Sequence, residues 1–145
     1  TLNPNDLDNV KKKNKDNKVS FRNIIHESMY EKFLFSGKDV EKKIKIIFQD
    51  SLNLEHNKYK NQMDLIFIDG GHDYETVHND LNNCIDVINN DGTILCDDYN
   101  LSYAPGVKSA IDKFVKLNNF MWSSTESRKP QYESRYHCIR ITRRE

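Results

Sequence analysis

The chain has 145 residues, and Lys+Arg and Asp+Glu each number 22, so the formal net charge is zero. A length of this order suits one domain burying roughly 70% of its unfolded surface. The charge balance argues against nucleic acid or a membrane as a partner. No apolar run approaches the length needed to cross a bilayer, and no secretory leader is expected. Cys84, Cys96 and Cys138 are odd in number and lack metal-ligand spacing, which predicts reduced thiols in the cytoplasm.

Residues 1–20 are polar and aperiodic and read as loop; within them Lys11-Lys12-Lys13-Asn14-Lys15 has no interleaved aromatic residue and reads as a solvated charge run. From Ile24 to Phe35, Ile25, Met29 and Phe33 recur at helical spacing, which predicts a short amphipathic helix closed by Ser36-Gly37. Ile44, Ile46, Ile47 and Phe48 predict a strand ending at Gln49-Asp50-Ser51. Leu65 to Ile68 is a continuous apolar run that stops at Asp69-Gly70-Gly71-His72, the pattern of a strand buried on both faces of a parallel sheet.

A helix is predicted from about Tyr74 to Asn89, because Val77, Leu81, Cys84, Ile85 and Ile88 form one apolar stripe. Asn89-Asn90-Asp91-Gly92 is a turn signal, followed by a strand over Thr93–Cys96 that ends at Asp97-Asp98. Pro105-Gly106 opens a second helix with Val107, Ala110, Ile111 and Phe114 on one side. Segments 120–125 and 136–142 predict two strands able to pair antiparallel. The alternation of strand and helix predicts right-handed crossovers in an α/β fold with a mostly parallel sheet and a C-terminal antiparallel hairpin. Residues 1–145 read as one domain or a piece of one.

Ligands of such sheets bind beyond the carboxyl ends of the strands. Neighbouring strands lie roughly 4.8 Å apart, so adjacent strands 64–68 and 93–96 would bring Asp69 beside Asp97 and Asp98. Crowded carboxylates repel, and a hard cation such as Mg²⁺ relieves that cost. The competing assignment is ordinary: Asp at a strand-to-helix turn caps the next helix. His72 is placed to act as general base toward a substrate hydroxyl, or is a surface histidine bonded to a nearby acid. Asp50 and Ser51 suit hydrogen bonds to a nucleotide-like ligand, or simply a turn.

The stretches IDGGHDYETVHNDL, NNDGTILCDDY and PGVKSAIDKF together resemble the second half of class I S-adenosylmethionine-dependent methyltransferases. The nearest branch is the metal-dependent O-methyltransferases, including macrocin O-methyltransferase-like and cephalosporin hydroxylase-like proteins. The resemblance covers residues 44–115 and implies a Rossmann-like methyltransferase sheet of order 3-2-1-4-5. It implies S-adenosylmethionine and Mg²⁺ as cofactors, with Asp69, Asp97 and Asp98 as metal ligands and His72 facing the substrate hydroxyl. Asp50 and Ser51 fall where the family lines the adenine pocket. The implied substrate is a hydroxylated small molecule, such as a glycoside; a homo-oligomer is left open.

The departure from the family is large. No G-x-G loop precedes Ile44, and Gly37 is the only glycine before Gly70, so the chain is expected to be a fragment lacking the first two strands. Two other assignments compete with O-methylation: a non-catalytic α/β module that binds no cofactor, and a metal-dependent hydroxylase-like enzyme.

Overall fold

A computed structural model describes residues 33–124 and 138–144. The chain divides into two compact units, Thr1–Leu54 and Glu55–Glu145. Among the described residues no helix is long and apolar enough to cross a membrane.

In the first unit, Phe33 stacks on Phe35 with ring centroids 5.1 Å apart and meets Phe48 at 6.3 Å. Most of the helix expected over 24–35 lies outside the described residues; its described end is a turn in which Gly37 has φ +77°. A short 3-10 turn spans Asp39–Lys43. The strand expected at Ile44–Phe48 is not realised, since among the described residues nothing pairs with it. Ile44, Ile47 and Phe48 are instead exposed. An apolar run favours extended backbone, but a strand also needs a partner for its N–H and C=O groups.

The second unit holds the sheet. Its elements are β1 (Met63–Ile68), α1 (Tyr74–Val87), β2 (Ile88–Cys96), α2 (Pro105–Leu117), β3 (Phe120–Ser124) and β4 (Ile139–Arg143). The strand order is β1-β2-β4-β3. β1 and β2 pair in parallel, while β4 is antiparallel to both β2 and β3. Three strands therefore share one direction, and β4 inserts between two of them in reverse, the antiparallel hairpin expected from the sequence.

The core lies between this sheet and the two helices. α1 contributes Val77, Leu81 and Cys84, and α2 contributes Val107, Ala110, Ile111 and Phe114. They pack with Ile94, Cys96, Phe120, Ile139 and Ile141, all buried. Each fully buried aliphatic or aromatic side chain contributes about 1.5–3 kcal/mol, so the helical stripes fix which face of each helix meets the sheet. The expectation that β1 is buried on both faces does not hold. Ile66 and Ile68 pack against the core, whereas Leu65 and Phe67 are 60% and 56% exposed. Only one face carries described helices, so the unbroken apolar run hides an inside–outside alternation.

The turn expected at Asn89–Gly92 is absorbed into β2. Met63 pairs with Ile88 but Leu65 already pairs with Thr93, so residues 89–92 bulge out of the ladder. A Cβ at Gly92 would lie 2.5 Å from the Ile88 side chain, so a larger residue there would force Ile88 to shift.

Candidate active site

The ladder between β1 and β2 extends one step beyond the strands, where the Asp97 N–H donates to the Ile68 carbonyl at 3.0 Å. The β1–α1 and β2–α2 loops therefore leave the sheet side by side. They border a small open cleft lined by Asp69, Gly70, Gly71, His72, Asp97 and Asp98 over Val77 and Val107. The adjacency expected from the two apolar runs is thus realised.

Capping does not explain the three acids. The α1 N-terminus is capped by Asp73, whose carboxylate accepts from the Thr76 N–H at 3.0 Å and from the Thr76 hydroxyl at 2.7 Å. At α2 the N-cap is Ala104, with Pro105 opening the helix. Neither N-cap is Asp69, Asp97 or Asp98.

Asp98 works with His72. Its Oδ2 lies 2.8 Å from His72 Nε2, and both side chains are largely buried, 15% and 23% exposed. An ionised carboxylate only accepts, so Nε2 is the donor in this contact. Asp98 has φ +59°, in the left-handed region that few non-glycine residues adopt. Its N–H donates to Asp97 Oδ1 at 2.9 Å. The Tyr103 ring meets the His72 ring edge-on at 6.0 Å.

Two features underpin the pair. Gly106, in the first turn of α2, presses on the β1–α1 loop so closely that a Cβ would lie 2.5 Å from the His72 carbonyl oxygen and 2.6 Å from the Tyr74 nitrogen. Tyr99, directly after Asp98, is 6% exposed and donates its hydroxyl to Asp112 Oδ1 at 2.6 Å. Lys108 donates to the same hydroxyl at 3.2 Å and also to Asp112. Burial, assisted by the hydrogen bond to Asp112, raises the Tyr99 phenol above its ordinary range.

Cys138, just before β4, joins the rim. Burial first, then the charges of Asp97 and Asp69, push its thiol upward. The acids therefore impose a negative potential on the cleft. Cys84 is raised to about 12 by burial and Cys96 is raised likewise, so both behave as inert core thiols.

The metal set expected from the sequence, Asp69, Asp97 and Asp98, lines one cleft. Among the described residues no three His, Cys, Asp or Glu side chains converge to hold an ion. Asp98, counted among the ligands of that set, is engaged by His72, and Asp97 by a backbone N–H. Asp50 and Ser51 belong to the first unit. There the Asp50 carboxylate accepts from the Leu52 N–H at 3.0 Å, forming the turn that was the alternative to ligand binding.

Sequence reasoning reached His72 and the acids but missed Tyr99, Lys108, Asp112 and Cys138. The i, i+4 spacing of Lys108 and Asp112 was a readable pairing signal. Nothing in the sequence placed Cys138 beside the acids.

A strand-to-helix rim carrying an acid–histidine pair on an α/β sheet defines the broad class, and comparison narrows it. The family model described as a methyltransferase domain matches residues 7–99. The chain belongs to that family. It is similar to the uncharacterized protein R132 of Acanthamoeba polyphaga mimivirus, 32% identical over 85 residues, covering 58% of this chain and 38% of that protein. Among solved structures, spermidine synthase of Thermotoga maritima has the same fold, with a TM-score of 0.51 at 17% identity, covering 84% of this chain and 42% of that one. A spermidine synthase in complex with the transition-state analogue AdoDATO gives a TM-score of 0.51 at 17% identity, covering 84% of this chain and 41% of that one. The chain thus spans less than half the length of these relatives.

Proposed function

We propose that this chain forms the acceptor-activating part of an S-adenosylmethionine-dependent O-methyltransferase acting on a hydroxyl of a small molecule such as a sugar. The observation that carries this reading is the His72–Asp98 hydrogen bond across the two loops of the cleft, in a chain of the methyltransferase-domain family. When bound, S-adenosylmethionine supplies a methyl group on a positively charged sulfur. The cleft suits that charge, because Asp69 and Asp97 line it with carboxylates.

Asp98 holds the proton on Nε2, so Nδ1 of His72 is the nitrogen that accepts the acceptor's hydroxyl proton. His72 would hold that proton and pass it to solvent once the hydroxyl had taken the methyl group. The low exposure of both side chains limits competition from water. Magnesium assistance is left out of this mechanism, since Asp98 already serves His72.

The test is transfer of labelled methyl from S-adenosylmethionine to a panel of glycosides. His72→Ala should slow turnover by about 10²–10⁴-fold, the usual contribution of a general base, with donor affinity retained. A His72→Ala variant as active as wild type would overturn the reading, as would failure of wild type to bind the donor by calorimetry. The latter result would favour the non-catalytic module.

A further inference from the structure

We propose that Tyr99 is a positioning residue: anchored to α2 through Asp112 and Lys108, it holds Asp98 in its left-handed conformation and so aims that carboxylate at His72. The proposal deepens the reading of His72 and Asp98 as the working pair and rests on it.

Three observations converge. Asp98 has φ +59°, a conformation that persists in a non-glycine residue only where its surroundings over-determine it. On one side the constraint is local, the Asp98 N–H donating to Asp97 Oδ1. On the other side it is tertiary. The Tyr99 ring packs against Trp122 of β3 with centroids 4.9 Å apart, and Lys108 Nζ sits 5.0 Å from the ring centroid. Its hydroxyl is gripped by Asp112 and Lys108. A side chain fixed at both face and tip cannot rotate without breaking two polar contacts and one ring contact. The residue before it therefore leaves the sheet along a fixed path. That path ends with Asp98 Oδ2 2.8 Å from His72 Nε2.

Simple core packing would need the ring alone. A phenol tip held by an acid and a lysine adds direction, and direction is what a carboxylate orienting an imidazole requires.

The experiment compares the whole chain with its Tyr99→Phe, Asp112→Asn and Lys108→Met variants by heteronuclear NMR. Three-bond couplings across χ1 of Asp98 report its rotamer. Wild type should show a single rotamer. Tyr99→Phe keeps the ring contact with Trp122 and should give averaged couplings at Asp98, while those of the α1 cap Asp73 stay unchanged. Should Tyr99→Phe fail to fold, Asp112→Asn and Lys108→Met probe the same tether with the phenol retained. Couplings at Asp98 identical to wild type in the folded variants would overturn the proposal. A parallel methyl-transfer assay should show turnover reduced about tenfold in Tyr99→Phe with donor KM unchanged, the pattern of a lost transition-state contribution. Absence of transfer by wild type would refute the reaction while leaving the couplings to decide the positioning role.

Discussion

Asp98 lies 26 positions after His72 in sequence, and the 2.8 Å contact between their side chains ties two separate strand-to-helix loops into one site. Residues that act as a unit give non-additive losses. Asp98→Asn keeps an acceptor oxygen but loses the charge, and His72→Ala removes the base. The double variant should be no slower than His72→Ala within about threefold, because Asp98 has no role once the imidazole is gone. Losses that multiply in a methyl-transfer assay would separate the two residues.

Gly106 should tolerate no side chain. The nearest atoms to an added Cβ are backbone atoms of residues 72–74, which cannot swing aside as a side-chain tip can. Gly106→Ala should destabilise the protein by about 1–3 kcal/mol through overpacking, seen as a lower midpoint in urea. Its His72 ring resonances should also move. An unchanged midpoint would mean that the loops part easily.

Asp73 should matter for stability alone. Its carboxylate satisfies the Thr76 N–H at the start of α1, so Asp73→Ala should cost about 1 kcal/mol while Asp73→Ser recovers most of it. Thermal melts of the two variants decide.

The Tyr99–Lys108–Asp112 group should shape stability at both ends of the pH scale. Burial alone would raise Asp112, but hydrogen bonds from Lys108 and Tyr99 outweigh it and hold the carboxyl below its ordinary 3.8. Its folded form prefers the charged state, so that contribution is present above 3.8 and is lost as pH falls through the lowered value. Lys108 is raised above 10.5 by its bonds to Asp112 and Tyr99, and Tyr99 above 10.0 by burial and the bond to Asp112. Both favour the protonated form, so their contribution is full below those values and is lost as pH rises through the folded ones. Asp112→Asn should flatten the acid limb of a stability–pH curve and weaken the alkaline limb. Limbs identical to wild type would show that the group is energetically idle.

Magnesium should leave the free chain unmoved. A cation bound only by the folded state raises the midpoint, whereas here Asp98 is committed to His72 and no convergent set is present among the described residues. Millimolar Mg²⁺ should shift the thermal midpoint by less than about 1 °C, while a clear rise abolished by Asp69→Asn would restore the three-acid metal site.

The elements that carry the site were legible because periodicity records burial. Val77, Leu81 and Cys84 on α1 and Val107, Ile111 and Phe114 on α2 repeat at helical spacing and are buried. Loop chemistry then located Asp69, His72, Asp97 and Asp98 at one rim. Some element readings went astray for physical reasons. Ile44–Phe48 has strand composition, but composition supplies no hydrogen-bond partner. Asn89–Gly92 has turn composition, yet pairing on both sides drew it into β2 as a bulge. The acids suggested a cation because their sequence positions show where charges gather, whereas the hydrogen bond between His72 and Asp98 joins two loops and is written in neither motif alone.

The contact at Gly106 has a further implication for how such a cleft can change. Its width is set where main chain meets main chain, not by the side chains that line it. Substitutions along the walls can therefore recut the outline offered to an occupant while the two loops keep their spacing, so selectivity is free to drift and the frame is not.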